Sequence, residues 1–325
     1  MRLSGAEGRA GAPPAPSSSN PLAAPQRRFA AFAWGVLAYN VAVILWGALV
    51  RATGSGAGCG GHWPLCNGEV LPNVSQIATV IELTHRVMSG IALLVVVAMF
   101  VWARRAFGPG HATRRWAGWA LLFILTEALL GASLVLLGHV ARNESVGRVY
   151  SLATHLINTF LLLASLALTA WYAGGERRKN LSFSLAAAGP LVAVVLVAVA
   201  GVITALGDTL FPSHTLAEGM REDFSSTASF LIRLRIIHPF LAVGAGFLAG
   251  LVAFPEYRAR HTGRLRALSG WLLGLLAAQF AVGALSIVLQ APVLIQLLHL
   301  LLADSIWIML VLFTAERGTV SGTKP

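Results

Sequence analysis

Four histidines lie inside long apolar segments, where an ionisable side chain is costly and is therefore a candidate for function. They are His85, His155, His238 and His299. Each lies about 6 to 9 residues inside the end of its segment that faces the outer side of the membrane, which corresponds to a depth of roughly 9–14 Å. Facing imidazoles inside a helical bundle suit axial ligation of a haem iron. The four histidines therefore predict two paired-ligand sites at one depth.

Other interpretations exist for an intramembrane histidine. A single histidine is more often hydrogen-bonded to a neighbouring helix than bound to a metal. Zinc normally takes three or four ligands, and two histidines without supporting Cys or carboxylate groups are too few. Because four histidines occur at matched depth and in pairs, we favour iron ligation over both alternatives.

The two histidine pairs have different charged neighbours. Glu82 precedes His85 by three residues, so both lie on one helix face. Arg235 occupies the corresponding position before His238. A buried carboxylate beside a metal-bound ring can accept a proton or stabilise developing positive charge, whereas an arginine suits a haem propionate. One half of the chain is thus predicted to carry out chemistry and the other to hold a cofactor.

Several acids in apolar segments have more than one interpretation. Glu82 is alternatively the partner of Arg86 or Arg51 in an ion pair near the headgroups. Glu127 is either part of a proton path or paired with another helix, and Asp304 has no assigned role.

Two cysteines, Cys59 and Cys66, lie in the Gly-rich loop that follows the first apolar segment. A disulfide is plausible there if the loop is outside the cytoplasmic membrane. It would either staple the loop or act as a thiol–disulfide couple close to the reactive site. A metal site that includes the intervening His62 is a third alternative.

The composition indicates the bilayer as the environment. Of the 325 residues, 56% are hydrophobic and only 11% are charged, against roughly 25% charged in soluble domains. This excludes an ordinary cytosolic enzyme. The net charge of +11 comes from basic residues in short loops, which indicates topology rather than nucleic-acid binding. Two cysteines exclude a disulfide scaffold and a four-cysteine metal site.

Eight apolar stretches are long enough to span a bilayer. They cover residues 29–50, 77–103, 116–137, 149–172, 183–206, 230–254, 268–290 and 293–315. With a cytoplasmic N-terminus, 17 of the 24 basic residues fall on the inside, so both termini are predicted to be cytoplasmic. Residues 1–28 are predicted to form a disordered tail, and 316–325 a second cytoplasmic tail.

The first four spans resemble the last four. GASLVLLG begins at Gly131 and GALSIVLQ at Gly283, an offset of 152 residues. The histidines of spans 2 and 6 are offset by 153, and those of spans 4 and 8 by 144. General similarity among apolar helices is the alternative explanation. An even number of spans per unit predicts an all-α membrane protein with tandem four-helix bundles, 29–172 and 183–315, related by a pseudo-two-fold axis along the membrane normal.

Several motifs together resemble one family. They are GSGAGC…WPLCNG in the first outer loop, ELTHR at Glu82–Arg86, ATHL around His155, GDTLFPSH from Gly207, RIIHP around His238 and LLHL around His299. On these motifs the chain resembles haem A synthase, the membrane oxidoreductase that converts haem O to haem A for terminal oxidases. The resemblance covers nearly all of the chain after the N-terminal tail.

The resemblance implies a reaction that oxidises a ring methyl of haem O to a formyl group through a hydroxymethyl stage. Glu82 would be the catalytic carboxylate of the N-terminal half, and Cys59 and Cys66 would match the cysteine pair of one bacterial class. The implied iron ligands are His85 and His155 for the substrate haem, and His238 and His299 for a b-type haem in the C-terminal half.

The implied setting is the bacterial plasma membrane, with lipid as the surroundings and haem O delivered by a haem O synthase. The electron acceptor is not identified, no nucleic acid is expected, and a homo-oligomer is compatible with the sequence. One alternative function is a two-haem b-type cytochrome between quinol and an acceptor, which would need neither Glu82 nor the cysteine loop. A transporter with a parallel repeat is another, but Pro190, Pro239 and Pro292 lie towards span ends and not at mid-membrane.

Overall fold

The computed structural model describes residues 24–70, 72–175, 185–213, 215–259 and 263–321. Within these ranges the chain is helical and lacks strands, apart from an isolated bridge between Cys66 and Glu69. Eight helical segments of the described chain are long and apolar enough to cross a membrane. The predicted all-α fold with eight spans is therefore confirmed.

Ten α-helices make up the described chain. They are α1 (Ala24–Ala52), α2 (Ile77–Ala106), α3 (Ala112–Leu136), α4 (Val146–Ala173), α5 (Leu185–Leu210), α6 (Leu216–Asp223), α7 (Phe230–Leu234), α8 (Ile237–Arg258), α9 (Gly263–Val288) and α10 (Val293–Ser321). The sixth span consists of α7 and α8 together.

The ends of the chain differ from the sequence prediction. Helix α1 already begins at Ala24, so the last five residues of the predicted tail, 24–28, are helical. Pro25 is compatible with this start because the first turn of a helix needs no amide hydrogen there. Helix α10 likewise continues to Ser321. Residues 1–23 and 322–325, the remainder of the two predicted tails, lie outside the described residues.

The two halves have the same order of helix contacts. In the first half α1 and α3 each pack against both α2 and α4, and in the second α5 and α9 each pack against both α8 and α10. The histidine-bearing helices are thus diagonally opposed in each half. The halves meet through α1 and α4 on one side and α5 and α10 on the other. This pattern is what a duplicated four-helix unit requires, while the pseudo-two-fold axis itself remains a prediction.

A tryptophan–phenylalanine contact joins the halves in the interior. Trp307 of α10 stacks on Phe160 of α4 with ring centroids 4.9 Å apart, and its indole N–H donates to the Phe160 carbonyl at 2.7 Å. Both side chains are buried. Because lipid offers no hydrophobic driving force between helices, such packing and hydrogen bonding hold the two halves together.

The sixth span is interrupted just before its histidine. Helix α7 ends at Leu234 and α8 begins at Ile237. Pro239 explains the break, because it has no amide hydrogen to donate to the carbonyl of Arg235. The preceding loop holds the short polar helix α6, which is capped by the Thr215 hydroxyl. The hydropathy of the sequence did not indicate this helix.

Candidate functional site

The two histidines of the second half face each other. The ring centroids of His238 and His299 are 6.4 Å apart, with an interplanar angle of 78°. Two imidazoles that bind one metal through bonds of roughly 2 Å leave their ring centres about 6 Å apart. The pair is therefore spaced for one iron held from both sides.

A glycine of the neighbouring helix lies against each of these two rings. A Cβ atom added to Gly201 of α5 would be 3.0 Å from Cε1 of His238, and one added to Gly283 of α9 would be 3.0 Å from Cε1 of His299. Both distances are shorter than ordinary van der Waals contact. Only glycine therefore leaves these rings where they lie.

The first half has the same arrangement. A Cβ atom added to Gly47 of α1 would be 2.9 Å from Cε1 of His85, and one added to Gly131 of α3 would be 3.9 Å from Cε1 of His155. We call these four positions the glycine seats: Gly47, Gly131, Gly201 and Gly283.

The glycine seats repeat along the sequence. Gly47 and Gly201 are 154 residues apart, and Gly131 and Gly283 are 152 apart. These offsets match the 153 residues between His85 and His238, so the repeat, applied to glycine, could have located the seats. The similar octapeptides that begin at Gly131 and Gly283 indicate only the second pair.

The ring nitrogens are compatible with a bound iron. The Nδ1 atoms of His85, His155 and His299 are buried without a hydrogen-bond partner, whereas Nδ1 of His238 lies 3.2 Å from the carbonyl of Val197. Because unpaired buried polar atoms are costly, these three Nδ1 atoms do not fit the alternative of histidines held by hydrogen bonds to a neighbouring helix. In the described ranges no three His, Cys, Asp or Glu side chains are grouped to hold a metal ion. The donors present thus fit a tetrapyrrole iron with two axial imidazoles.

Glu82 is buried, with 3% of its surface exposed, and both of its carboxylate oxygens have partners. Oε2 accepts the Cys59 amide hydrogen at 2.9 Å, and Oε1 accepts from Arg86 at 2.6 Å. The ion pair with Arg86 foreseen as an alternative therefore forms. Arg51 instead points to the second half, where it donates to the carbonyl of Ala205 and the side chains of Thr209 and Gln296.

Cys59 and Cys66 are joined in a disulfide, and both are buried. The bond leaves neither cysteine as a thiolate, so the alternative prediction of a metal site that combines them with His62 is wrong. Arg86 donates to the carbonyls of His62 and Leu65 at 2.7 Å each. The loop between the cysteines is thus attached to the outer part of α2.

The residue before the disulfide lies directly on the backbone of α2. A Cβ atom added to Gly58 would be 2.4 Å from the backbone of Ala78. The Thr79 hydroxyl donates to the Gly58 carbonyl at 2.7 Å. This close approach places the Cys59 amide against Glu82.

Arg235 is surrounded by protein carboxylates. Its guanidinium lies 3.0 Å from Asp208, 2.8 Å from Asp223 and 3.7 Å from Glu222. Two of these acids belong to α6. The residue type and spacing favour a haem propionate at this arginine but do not reveal the acids, because a loop and a helix break bring them to it.

Glu127 and Asp304 differ in their surroundings. Glu127 accepts hydrogen bonds from Asn158 and Thr159 of α4. The interpretation that it pairs with another helix therefore holds. Asp304 is 1% exposed, and both of its carboxylate oxygens are without a hydrogen-bond partner.

The fold and these residues define a class: a multi-pass helical membrane protein with an intramembrane histidine on each of two diagonally opposed helices in each half. The family model of the cytochrome oxidase assembly proteins matches residues 30–311. The chain belongs to the cytochrome oxidase assembly protein family.

Relatives of known name agree with the motif resemblance. A protein of Thermus thermophilus named protoheme IX farnesyltransferase is 47% identical over 301 residues, which cover 91% of this chain and 49% of that protein. A heme A synthase of Halalkalibacterium halodurans is 39% identical over 127 residues, 39% of this chain and 42% of that protein. One of Geobacillus kaustophilus is 40% identical over 113 residues, 35% and 36% of the two chains. The chain thus spans about half the length of the Thermus relative, and the resemblance to haem A synthases is confirmed.

Proposed function

We propose that the chain acts in haem A biosynthesis, by oxidising the ring methyl of haem O to a formyl group through a hydroxymethyl stage. One observation carries this proposal. Both halves place a glycine of a neighbouring helix beside each histidine ring, yet Glu82 of the first half is replaced by Arg235 in the second. Two halves with similar histidine positions but different charged neighbours fit one reactive site and one cofactor site.

In the first half, His85 and His155 would bind the iron of the substrate haem O, and Glu82 would be the catalytic carboxylate. Its two oxygens are held by Cys59 and Arg86, so the carboxylate is fixed before substrate arrives. A preorganised charge stabilises positive charge that develops on the substrate without reorganisation. The contacts of the disulfide loop with α2 support a staple role for Cys59 and Cys66.

In the second half, His238 and His299 would hold haem b. When bound, this haem supplies one-electron transfer. Arg235 would bind a haem propionate in competition with Asp208 and Asp223, which pair with its guanidinium. The protein acids around the guanidinium keep it in place, since a buried charge is tolerated when it is paired.

The proposed setting is a bacterial plasma membrane, with both termini cytoplasmic and the two units at 29–172 and 183–315. Haem O would come from a haem O synthase. The Thermus relative supports this partner, because its name is that of a protohaem IX farnesyltransferase and this chain matches about half of it. An electron acceptor completes the reaction.

The test uses a host that makes haem O but no haem A. Extraction and mass analysis should find a formyl-bearing haem with the wild type. Glu82→Gln should keep its bound haem and accumulate haem O or the hydroxymethyl form, while Glu144→Gln, an exposed loop carboxylate, should behave as wild type. Normal haem A from Glu82→Gln would refute the role of Glu82. If the wild type yields haems that are all chemically unchanged, the proposed reaction is refuted and a two-haem cytochrome is favoured.

A further inference from the structure

The side chain of Glu127 on α3 lies beside the ring of His155 on α4. Its Oε1 atom is 3.6 Å from Nδ1 of the imidazole. Asn158 donates to Oε2 at 2.6 Å, the Thr159 hydroxyl donates to Oε1, and Thr126 donates to the Asn158 amide oxygen at 2.6 Å. The carboxylate is therefore fixed by polar side chains in the position next to the ring.

The second half has an uncharged counterpart at the same place. With the 152-residue offset that relates Gly131 to Gly283, Glu127 corresponds to Gln279 of α9. Its amide nitrogen lies 3.3 Å from Nε2 of His299, so it meets the other ring nitrogen from the one that Glu127 approaches on His155. Both halves thus place a side chain of the same length beside the ring of the last histidine, but only the first half places a carboxylate there.

A carboxylate beside a metal-bound imidazole changes the metal. It orients the ring and raises the basicity of the ligand, and this second layer of contacts tunes the reduction potential. Nδ1 of His155 makes no hydrogen bond in the structure, and the Glu127 carboxylate lies 3.6 Å from it. If Nε2 binds the iron, the N–H at Nδ1 therefore faces Glu127.

We propose that Glu127 is a positioning residue that makes His155 the more electron-donating ligand and so stabilises the ferric substrate iron. This rests on the proposed function, in which His155 binds haem O. In the second half the side chain beside His299 is an uncharged amide, so no carboxylate stabilises the ferric state of that haem and it is easier to reduce. The two irons then differ in potential although their ligand sets are the same.

The test is a spectroscopic redox titration of the purified protein with both haems bound. Glu127→Gln should lower the preference of the haem at His155 for the ferric state about tenfold, which is the lower end of the effects typical of such contacts. For one electron this is a rise of about 59 mV in the reduction potential of that haem. The other haem should not move. Gln279→Glu should lower the potential of the second haem, and Glu144→Gln, which removes an exposed charge, should move neither.

Electron paramagnetic resonance adds a readout that loosened packing alone would not move. The ferric g-values of one haem should change in Glu127→Gln and return towards wild type in Glu127→Asp. If Glu127→Gln loses its haem, the Thr159→Val variant is titrated in its place. This change removes a hydroxyl that competes with the His155 ring for Oε1 of Glu127, so it should lower the reduction potential of the haem at His155. Unchanged potentials and g-values in a variant with both haems bound would overturn the inference alone. If His85→Ala binds as much haem as the wild type does, the proposed function is overturned as well.

Discussion

The glycine seats make a prediction whose size follows from the structure. In Gly47→Ala the new Cβ would lie 2.9 Å from Cε1 and 3.2 Å from Nε2 of His85, and ordinary contact begins at 3.4 Å. The ring must therefore shift by about 0.5 Å, while metal–ligand bonds are held within about 0.2 Å. We expect haem affinity at this site to fall about 10- to 100-fold, or roughly 1.4–2.8 kcal/mol.

Gly131→Ala is the matched control, because its Cβ would lie 3.9 Å from the His155 ring, an ordinary contact. Alanine in place of glycine stabilises a helix interior by about 0.5–1 kcal/mol, so neither variant should melt earlier for that reason. Haem per protein is measured by extraction and mass analysis. Gly47→Ala should lose haem O, Gly201→Ala should lose haem b, and Gly131→Ala should lose neither. Equal haem content in Gly47→Ala and Gly131→Ala would refute the reasoning.

Three further predictions concern stability, measured by thermal unfolding in detergent. The double variant Cys59→Ser/Cys66→Ser should lose about 2–3 kcal/mol, since a short loop is no longer closed, and reductant should then have no further effect. Arg51→Gln should lose about 1.5–3 kcal/mol because charged hydrogen bonds between the halves are removed, whereas the exposed Arg142→Gln should not change stability. Trp307→Phe keeps the ring stacking but not the indole hydrogen bond, so the free energy of unfolding should fall by about 1 kcal/mol. For each of these three variants, a melting temperature equal to that of the wild type would contradict the prediction.

The eight spans could be predicted because the bilayer imposes a length and a polarity on each of them. The predicted starts at residues 77, 230 and 293 coincide with those of the second, sixth and eighth spans of the structure. Hydropathy has no comparable signal for α6, an eight-residue polar helix, or for the break that Pro239 introduces. Both lie in the loop region that brings acids to Arg235.

The histidines could be identified from the sequence because an ionisable group in an apolar span is conspicuous. Their glycine partners have no local signal, since glycine is common in membrane spans and the neighbouring sequence does not separate a seat such as Gly201 from Gly244, which has open space beside it. The partners of Glu82 were equally hidden. One of them is a backbone amide 23 residues away, and only the folded loop brings it there.

The two halves have the same residue types at the positions that place the histidine rings and different residue types at the charged positions beside them. Positions that place the rings keep their residue types, as histidines and glycine seats do. Positions that set the local field differ in charge, with Glu82 against Arg235 and Glu127 against Gln279. Because a side chain next to a ligand changes a potential without changing the ligand, a duplicated frame needs only such substitutions to make one iron a site of oxidation and the other an electron carrier. On the proposed function, divergence at these charged positions is therefore what separates catalysis from cofactor binding.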